Sequence, residues 1–118
     1  MSGRTTRIAE EIKKEISQII HIDVKDDRIS KILSVSRVDI TADLKFAKVM
    51  ISVMDDEKKQ ILTIDALNHA ASFIRTRLSK IMNLRTVPKL TFVVDKNIEY
   101  SFEIEKKLKE IRENDKNK

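Results

Sequence analysis

The chain has 118 residues and a formal net charge of +5, and 41% of its residues are hydrophobic, which suits one domain with its own core. It contains no cysteine, which excludes disulfides and cysteine-ligated zinc. Because the N-terminus is charged throughout and no run of about 18 apolar residues occurs, we expect a cytoplasmic protein that does not enter a membrane.

The first half of the chain predicts one helix and a strand. Residues 4–22 carry apolar side chains at helical spacing, namely Ile8, Ile12, Ile16, Ile19 and Ile20. The polar residues 23–31 predict a loop. Residues 32–41 favour a strand, but the alternation changes phase between Val35 and Val38, which predicts a bulge near Ser36.

The remaining elements complete an α+β pattern. Residues 41–44 predict a turn, and the alternating residues 45–54 predict a second strand that forms a hairpin with the first. Residues from about 55 to 82 then predict a long helical stretch that ends before Pro88, with an apolar stripe that runs to Ile81 and a periodicity that allows one continuous helix. Residues 89–95 predict a third strand parallel to a neighbour, 98–112 an amphipathic helix and 113–118 a disordered tail. We expect a three-stranded sheet with helices on one face.

Catalytic patterns are weak. His21 and His69 lie on separate predicted helices, and the only glycine is Gly3, which excludes a glycine-rich phosphate loop. The acidic run 55–57 is typical of the start of a helix. A metal-dependent nuclease built on that run is the most remote alternative, and we expect no enzyme activity, no metal and no cofactor.

The charge distribution favours a nucleic acid. Residues 66–94 contain no aspartate or glutamate but five basic residues: Arg75, Arg77, Lys80, Arg85 and Lys89. Helical spacing puts Arg77 and Lys80 on one flank and Arg75 on the opposite flank. A solvated helix face is the alternative, but solubility alone favours mixed signs, so we predict contact with phosphates.

RNA is favoured over duplex DNA because no recognition-helix module or zipper is visible. All four phenylalanines fit in or beside the predicted core, namely Phe46, Phe73, Phe92 and Phe102. Base stacking is therefore not expected, and the predicted binding mode is recognition of shape and phosphates.

Several segments carry a family resemblance. They are RTTRIAEEI at the start, DDRI at 26–29, VDITADLKFAKVMISV across the hairpin, ALNHAASFIRTRL, and LRTVPKLTFVVD at 84–95. In this order and spacing, roughly residues 4–112 resemble the bacterial ribosome-binding factor A family. The resemblance implies a single type-II KH-like RNA-binding domain over 1–112, in which two helices meet at a kinked Ala-x-Gly element. Ala70, Ala71 and Ser72 occupy that position, with Ser72 in place of the glycine.

The resemblance also implies a function. Members are non-catalytic cytoplasmic factors that associate with free 30S subunits, support late maturation and processing of the small-subunit (16S) ribosomal RNA, and matter for cold adaptation. The matching basic positions are Arg4, Arg7, Arg75, Lys80 and Arg85, and Arg77 is less characteristic. Residues 27–29 resemble the family's Asp-Pro-Arg-Ile loop without its proline. We expect a monomer; a protein-binding adaptor of the same fold, using a sheet edge or the 98–112 helix, is the alternative.

Overall fold

The computed structural model describes residues 3–96 together with Lys107, Lys109 and Ile111. The chain forms a first helix α1 (Gly3–Ile22), strands β1 (Leu33–Ile40) and β2 (Phe46–Val53), helices α2 (Glu57–His69) and α3 (Ala71–Met82), and strand β3 (Lys89–Val94). This order confirms the predicted α+β class. Within the described ranges no helix is both long enough and apolar enough to cross a bilayer.

Helix α1 buries the predicted isoleucine stripe. Ile12, Ile16, Ile19 and Ile20 are at most 3% exposed, and the helix packs against β1 and α3. Burial of this stripe is the main reason why the segment is helical, because the hydrophobic effect stabilises an amphipathic helix far more than intrinsic propensity does. The backbone N–H groups of Asp23 and Val24 donate to the carbonyl of Ile19 and close the helix.

The hairpin contains the predicted bulge. β1 and β2 pair antiparallel, and the register shifts between Val35 and Arg37, so Ser36 is the extra residue. The bulge restores the phase of the alternation, because apolar residues on both sides of it are buried: Leu33, Val35, Val38 and Ile40. In the turn, the Asp43 carboxylate accepts hydrogen bonds from the Thr41 hydroxyl and the Lys45 N–H, which lowers the Asp43 pKa.

The third strand completes the sheet as predicted. β3 pairs parallel to β2, and the strand order is β1-β2-β3. The helices cover the face on which Val49, Ile51 and Phe92 are at most 1% exposed, whereas Lys48 and Thr91 on the other face are exposed. A single core therefore lies between the sheet and the three helices.

Two predictions are corrected and two lie outside the described residues. The long helical stretch is not continuous, because Ala70 separates α2 from α3, in agreement with the kinked helix pair that the resemblance implies. Ile81, placed on its apolar stripe, is 51% exposed. Lys107, Lys109 and Ile111 are helical. The rest of the 98–112 helix and the 113–118 tail fall outside the described residues.

Candidate nucleic-acid interface

The helix interruption lies at the first residue of the predicted Ala-x-Gly-like element. Ala70 has φ −87° and ψ 2°, away from α-helical values. Its N–H still donates to Ala66 and its carbonyl still accepts from Ile74, so the chain bends with both helices connected by hydrogen bonds. Ala71 and Ser72 lie in the first turn of α3, and the Thr76 hydroxyl donates to the Ser72 carbonyl. The bend therefore forms without a glycine.

Tertiary contacts hold the chain on both sides of this bend. The side-chain amide of Asn68 donates to the Phe92 carbonyl at 3.0 Å and accepts from the Phe92 N–H at 2.8 Å. Ile74, in the next turn, is fully buried. A side chain two residues before the bend is thus fastened to β3, and one four residues after it is fastened in the core. These contacts orient the start of α3 relative to the sheet.

The structure brings three of the predicted basic residues together. Arg75, Lys80 and Arg85 line one shallow depression between α3 and the segment that leads into β3, together with Thr76, Ser79, Thr86 and Val87. Asn83 makes this possible: it ends α3 with φ 51°, a left-handed conformation that asparagine tolerates better than most residues, and so reverses the chain. The depression combines cationic and hydroxyl side chains, and both kinds can donate hydrogen bonds to phosphate oxygens.

Arg75 also has a structural role. Its Nε and Nη2 atoms donate to the Val87 carbonyl oxygen at 3.0 and 2.8 Å. Val87 and Pro88 are buried, so this contact fixes the segment before β3 against α3. The sequence indicated the charge of Arg75 but not this contact, because its partner lies twelve residues further along the chain.

The expectation that all phenylalanines pack in or beside the core is wrong for two of them. Phe46 is 55% exposed and Phe73 is 44% exposed, whereas Phe92 is buried as predicted. Phe102 lies outside the described residues. The guanidinium carbon of Arg77 lies 5.5 Å from the centroid of the Phe73 ring, within cation–π range. Spacing contained this signal, because Phe73 precedes Arg77 by four residues and Lys80 by seven, which puts all three on one helix face.

The other predicted basic residues lie on different elements. Arg7 is exposed on the second turn of α1, and Arg4 is in the first turn of the same helix. Lys89 is exposed at the start of β3, where its register partner on β2 is Phe46. The structure thus gathers Arg75, Lys80 and Arg85, while Arg4, Arg7 and Lys89 belong to α1 and the sheet.

The positive charge of the acid-free segment is not paired with acids from elsewhere in the described part of the chain. The ion pairs there are Arg28–Asp26 at 2.7 Å and Arg37–Asp39 at 3.0 Å, and both lie outside residues 66–94. A cation without an acidic partner keeps its full attraction for a phosphate. The cations of residues 66–94 have no such partner among the described residues.

The 26–31 loop is packed against α2. Arg28 pairs with Asp26, and this hydrogen-bonded ion pair lowers the Asp26 pKa to about 2. Thr63 is fully buried; its hydroxyl accepts from the Ser30 N–H at 2.9 Å and donates to the Lys59 carbonyl at 2.7 Å. The loop that resembles the family motif thus has a defined conformation without the family's proline.

The acidic residues 55–57 lie at the N-terminus of α2, where two of them accept hydrogen bonds. Asp56 caps α2 by accepting from the Lys59 N–H at 2.8 Å, and Asp55 accepts from the Ser30 hydroxyl at 3.1 Å. Glu57 lies in the first helical turn. Among the residues that the structure describes, no group of three or more histidine, aspartate or glutamate side chains is arranged to hold a metal ion.

Comparisons with known proteins agree with this architecture. The family model for ribosome-binding factor A matches residues 4–108. A ribosome-binding factor A of Clostridium botulinum (strain Okra) is 43% identical over 114 residues, which cover 97% of this chain and 95% of that protein. The protein of the same name from Agathobacter rectalis is 43% identical over 113 residues, which cover 96% and 93% of the two chains.

Solved structures show the same fold. The crystal structure of ribosome-binding factor A from Thermus thermophilus matches with a TM-score of 0.67 and 20% identity, over 76% of this chain and 93% of that one. The solution structure of a Thermotoga maritima protein described as a ribosome-binding factor A has a TM-score of 0.67 and 24% identity, over 79% and 88%. With a sequence match along nearly its whole length and this KH-like architecture, the chain belongs to the ribosome-binding factor A family.

Proposed function

We propose that the protein binds the small (30S) ribosomal subunit by laying the basic side of α3 and the segment after it on folded ribosomal RNA. The observation that carries this proposal is the depression lined by Arg75, Lys80 and Arg85, within a segment free of acids. A relative supports the partner: coordinates of the Thermus thermophilus factor have been fitted into a cryo-EM map of its complex with the 30S subunit, and they match this chain with a TM-score of 0.61, 21% identity and coverage of 72% of this chain and 88% of that one.

Each residue of the depression has a role in this proposal. Lys80 and Arg85 are exposed and supply charge to phosphate oxygens. Arg75 contributes in two ways, because its bonds to Val87 use two of the five N–H donors of a guanidinium and leave donors for a phosphate. We assign Arg4 and Arg7 to the same basic surface because they match basic positions of the family. We assign Arg77 and Lys89 to it because of their charge.

The proposed action is differential binding without chemistry. A protein that binds one conformation of an RNA junction more tightly than others shifts the population toward that conformation. We propose that the factor acts in the cytoplasm, as a monomer, to support late maturation and processing of 16S ribosomal RNA. Misfolded RNA junctions rearrange more slowly in the cold, so such a factor would matter most during cold adaptation. No bond is made or broken, and no cofactor is needed.

A protein-binding adaptor is less well supported. Strand β3 forms one edge of the sheet, and the N–H and carbonyl of Phe92 in that strand are already hydrogen-bonded to the Asn68 side chain. A partner strand that paired with this edge would have to displace that contact. A nuclease built on residues 55–57 is disfavoured too, because Asp55 and Asp56 already accept hydrogen bonds that hold the start of α2.

The test is co-sedimentation with purified 30S subunits. Charge reversal of both Lys80 and Arg85 to Glu should abolish association, whereas the unfolding midpoint in urea should stay close to that of the native chain because both side chains are exposed. Arg75 is left intact because it holds Val87. The matched control reverses Lys31 and Lys58, two exposed lysines on the 26–31 loop side and at the start of α2. If the folded Lys80→Glu, Arg85→Glu protein co-sediments like the native chain, the proposed site is wrong.

A further inference from the structure

We propose that Phe73 and Arg77 form a stacking platform that holds an unpaired RNA base beside the phosphate-contacting depression. This inference rests on the proposed RNA binding and adds a recognition element to it. The predicted mode of binding, through shape and phosphates alone, would then be incomplete. The ligand class is a single-stranded or bulged nucleotide, because a base inside a duplex has no exposed ring face to offer.

The exposure of Phe73 carries the proposal. The two apolar residues that anchor α3, Ile74 and Leu78, are fully buried, yet the neighbouring ring of Phe73 is 44% exposed. Phe73 lies in the first turn of α3, three residues after the bend at Ala70. Exposure of an isolated apolar side chain is ordinary. Exposure of an aromatic ring inside a run of 29 residues without an acid, on a basic helix, is the combination that single-stranded nucleic-acid sites use.

Arg77 completes the platform. Its guanidinium carbon lies over the Phe73 ring, 5.5 Å from the ring centroid, so the two planar groups lie together on one helix face. A guanidinium is planar and weakly hydrated, so it stacks on bases as well as on aromatic rings. Lys80, one turn further along the same face, belongs to the depression described above. A nucleotide whose base rests on Phe73 and Arg77 would therefore have a cation within reach for its phosphate.

Phe46 provides an internal comparison. It is 55% exposed, more than Phe73, but lies on β2, where its register partner is Lys89. Among the described residues, the cation–π contact is that of Arg77 with Phe73, and Phe46 has none. The two positions thus offer similar exposed rings, one beside an arginine on the proposed RNA-binding face and one on the sheet.

The chain contains no tryptophan, which makes a direct test possible. In Phe73→Trp the introduced indole is the only tryptophan, and it should stack on bases as phenylalanine does. Titration with oligoadenylate should quench its fluorescence, whereas the emission of the control Ile61→Trp, at a 56% exposed position on α2, should not change. If millimolar oligoadenylate leaves the emission of the Phe73→Trp protein unchanged, the platform is wrong.

Affinity for 30S subunits gives a second readout. Phe73→Leu keeps an apolar side chain but removes the ring, and we expect 30S binding to weaken about 5- to 150-fold, the range for loss of one base stack. Phe73→Tyr should bind like the native chain. If Phe73→Leu binds normally while reversal of Lys80 and Arg85 abolishes binding, the platform is wrong and the proposed function stands. If neither change weakens binding, the proposed function fails as well.

Discussion

The guanidinium of Arg75 donates two hydrogen bonds to the carbonyl oxygen of Val87, at 3.0 and 2.8 Å, and so joins α3 to the segment that leads into β3. The same residue lines the basic depression. A change at Arg75 therefore alters both the folding and the charge of the site. When an Arg75 substitution weakens RNA binding, the free energy of unfolding must be measured for the same protein, because lost stability and lost charge would both weaken binding.

Arg75→Gln should lower the free energy of unfolding by about 1–2 kcal/mol, because it removes two charge-assisted hydrogen bonds to a buried segment from a side chain that is partly exposed. The control is Lys80→Gln in the same depression, which should change stability by less than about 0.5 kcal/mol, as exposed substitutions usually do. Urea unfolding measures both. Equal stability of Arg75→Gln and the native chain would show that the Val87 contact contributes nothing.

The salt dependence of 30S binding reports the number of phosphates contacted. If about five phosphates are neutralised, the slope of log affinity against log salt should be roughly −3.5 to −4.5. Removing both Lys80 and Arg85 as Gln should make the slope shallower by roughly 1.4–1.8. The Lys31→Gln, Lys58→Gln protein loses the same charge elsewhere and should keep the native slope. A slope near zero for the native chain would favour the protein-binding adaptor.

Asn68→Asp tests the contact that closes the edge of β3. The introduced carboxylate has nearly the same shape and still accepts from the Phe92 N–H, but it cannot donate to the Phe92 carbonyl and faces that oxygen with a negative charge. Because Phe92 is 1% exposed, we expect a loss of about 1–3 kcal/mol in the free energy of unfolding at neutral pH. His69→Gln, at the exposed neighbouring position, is the control and should leave stability nearly unchanged. If Asn68→Asp leaves the free energy of unfolding unchanged, the amide does not have the role given to it here.

The Asp26–Arg28 pair predicts an acid-dependent contribution to stability. The Arg28 guanidinium lowers the pKa of Asp26 from 3.8 to about 2, so the carboxylate stabilises the folded state above its unfolded pKa. This contribution is lost as the pH falls from about 4 through about 2. NMR titration of the Asp26 carboxyl should give a midpoint near 2, and Arg28→Gln should move it toward 3.8.

Arg37→Gln is the control for that titration, because it removes the other described ion-pair arginine, the partner of Asp39, without touching the 26–31 loop. The Asp26 midpoint should be the same in Arg37→Gln as in the native chain. A native midpoint close to 3.8 would mean that the pair does not persist in solution.

Local periodicity was sufficient for most of the elements. The isoleucine stripe of α1 and the alternation of β2 each define one apolar face, and the phase change in β1 correctly indicated a bulge at Ser36. The order of the motifs was sufficient to identify the family, and the absence of acids from residues 66–94 marked the basic segment. The stripe, the alternation and the phase change all lie between near neighbours in the sequence, where backbone geometry alone fixes which side chains share a face.

Tertiary structure decided the features whose partners are distant along the chain. Ser36 at the bulge lies 2.8 Å from the Asp95 carboxylate, which is 59 residues away, and Asn68 fastens the helix before the bend at Ala70 to β3. The exposure of Phe73 likewise depends on where α3 lies against the core. The sequence alone determined which faces must leave water, because burial of apolar surface follows periodicity. Only the folded chain decided which polar groups meet and which aromatic ring remains outside, because those outcomes depend on how the elements pack.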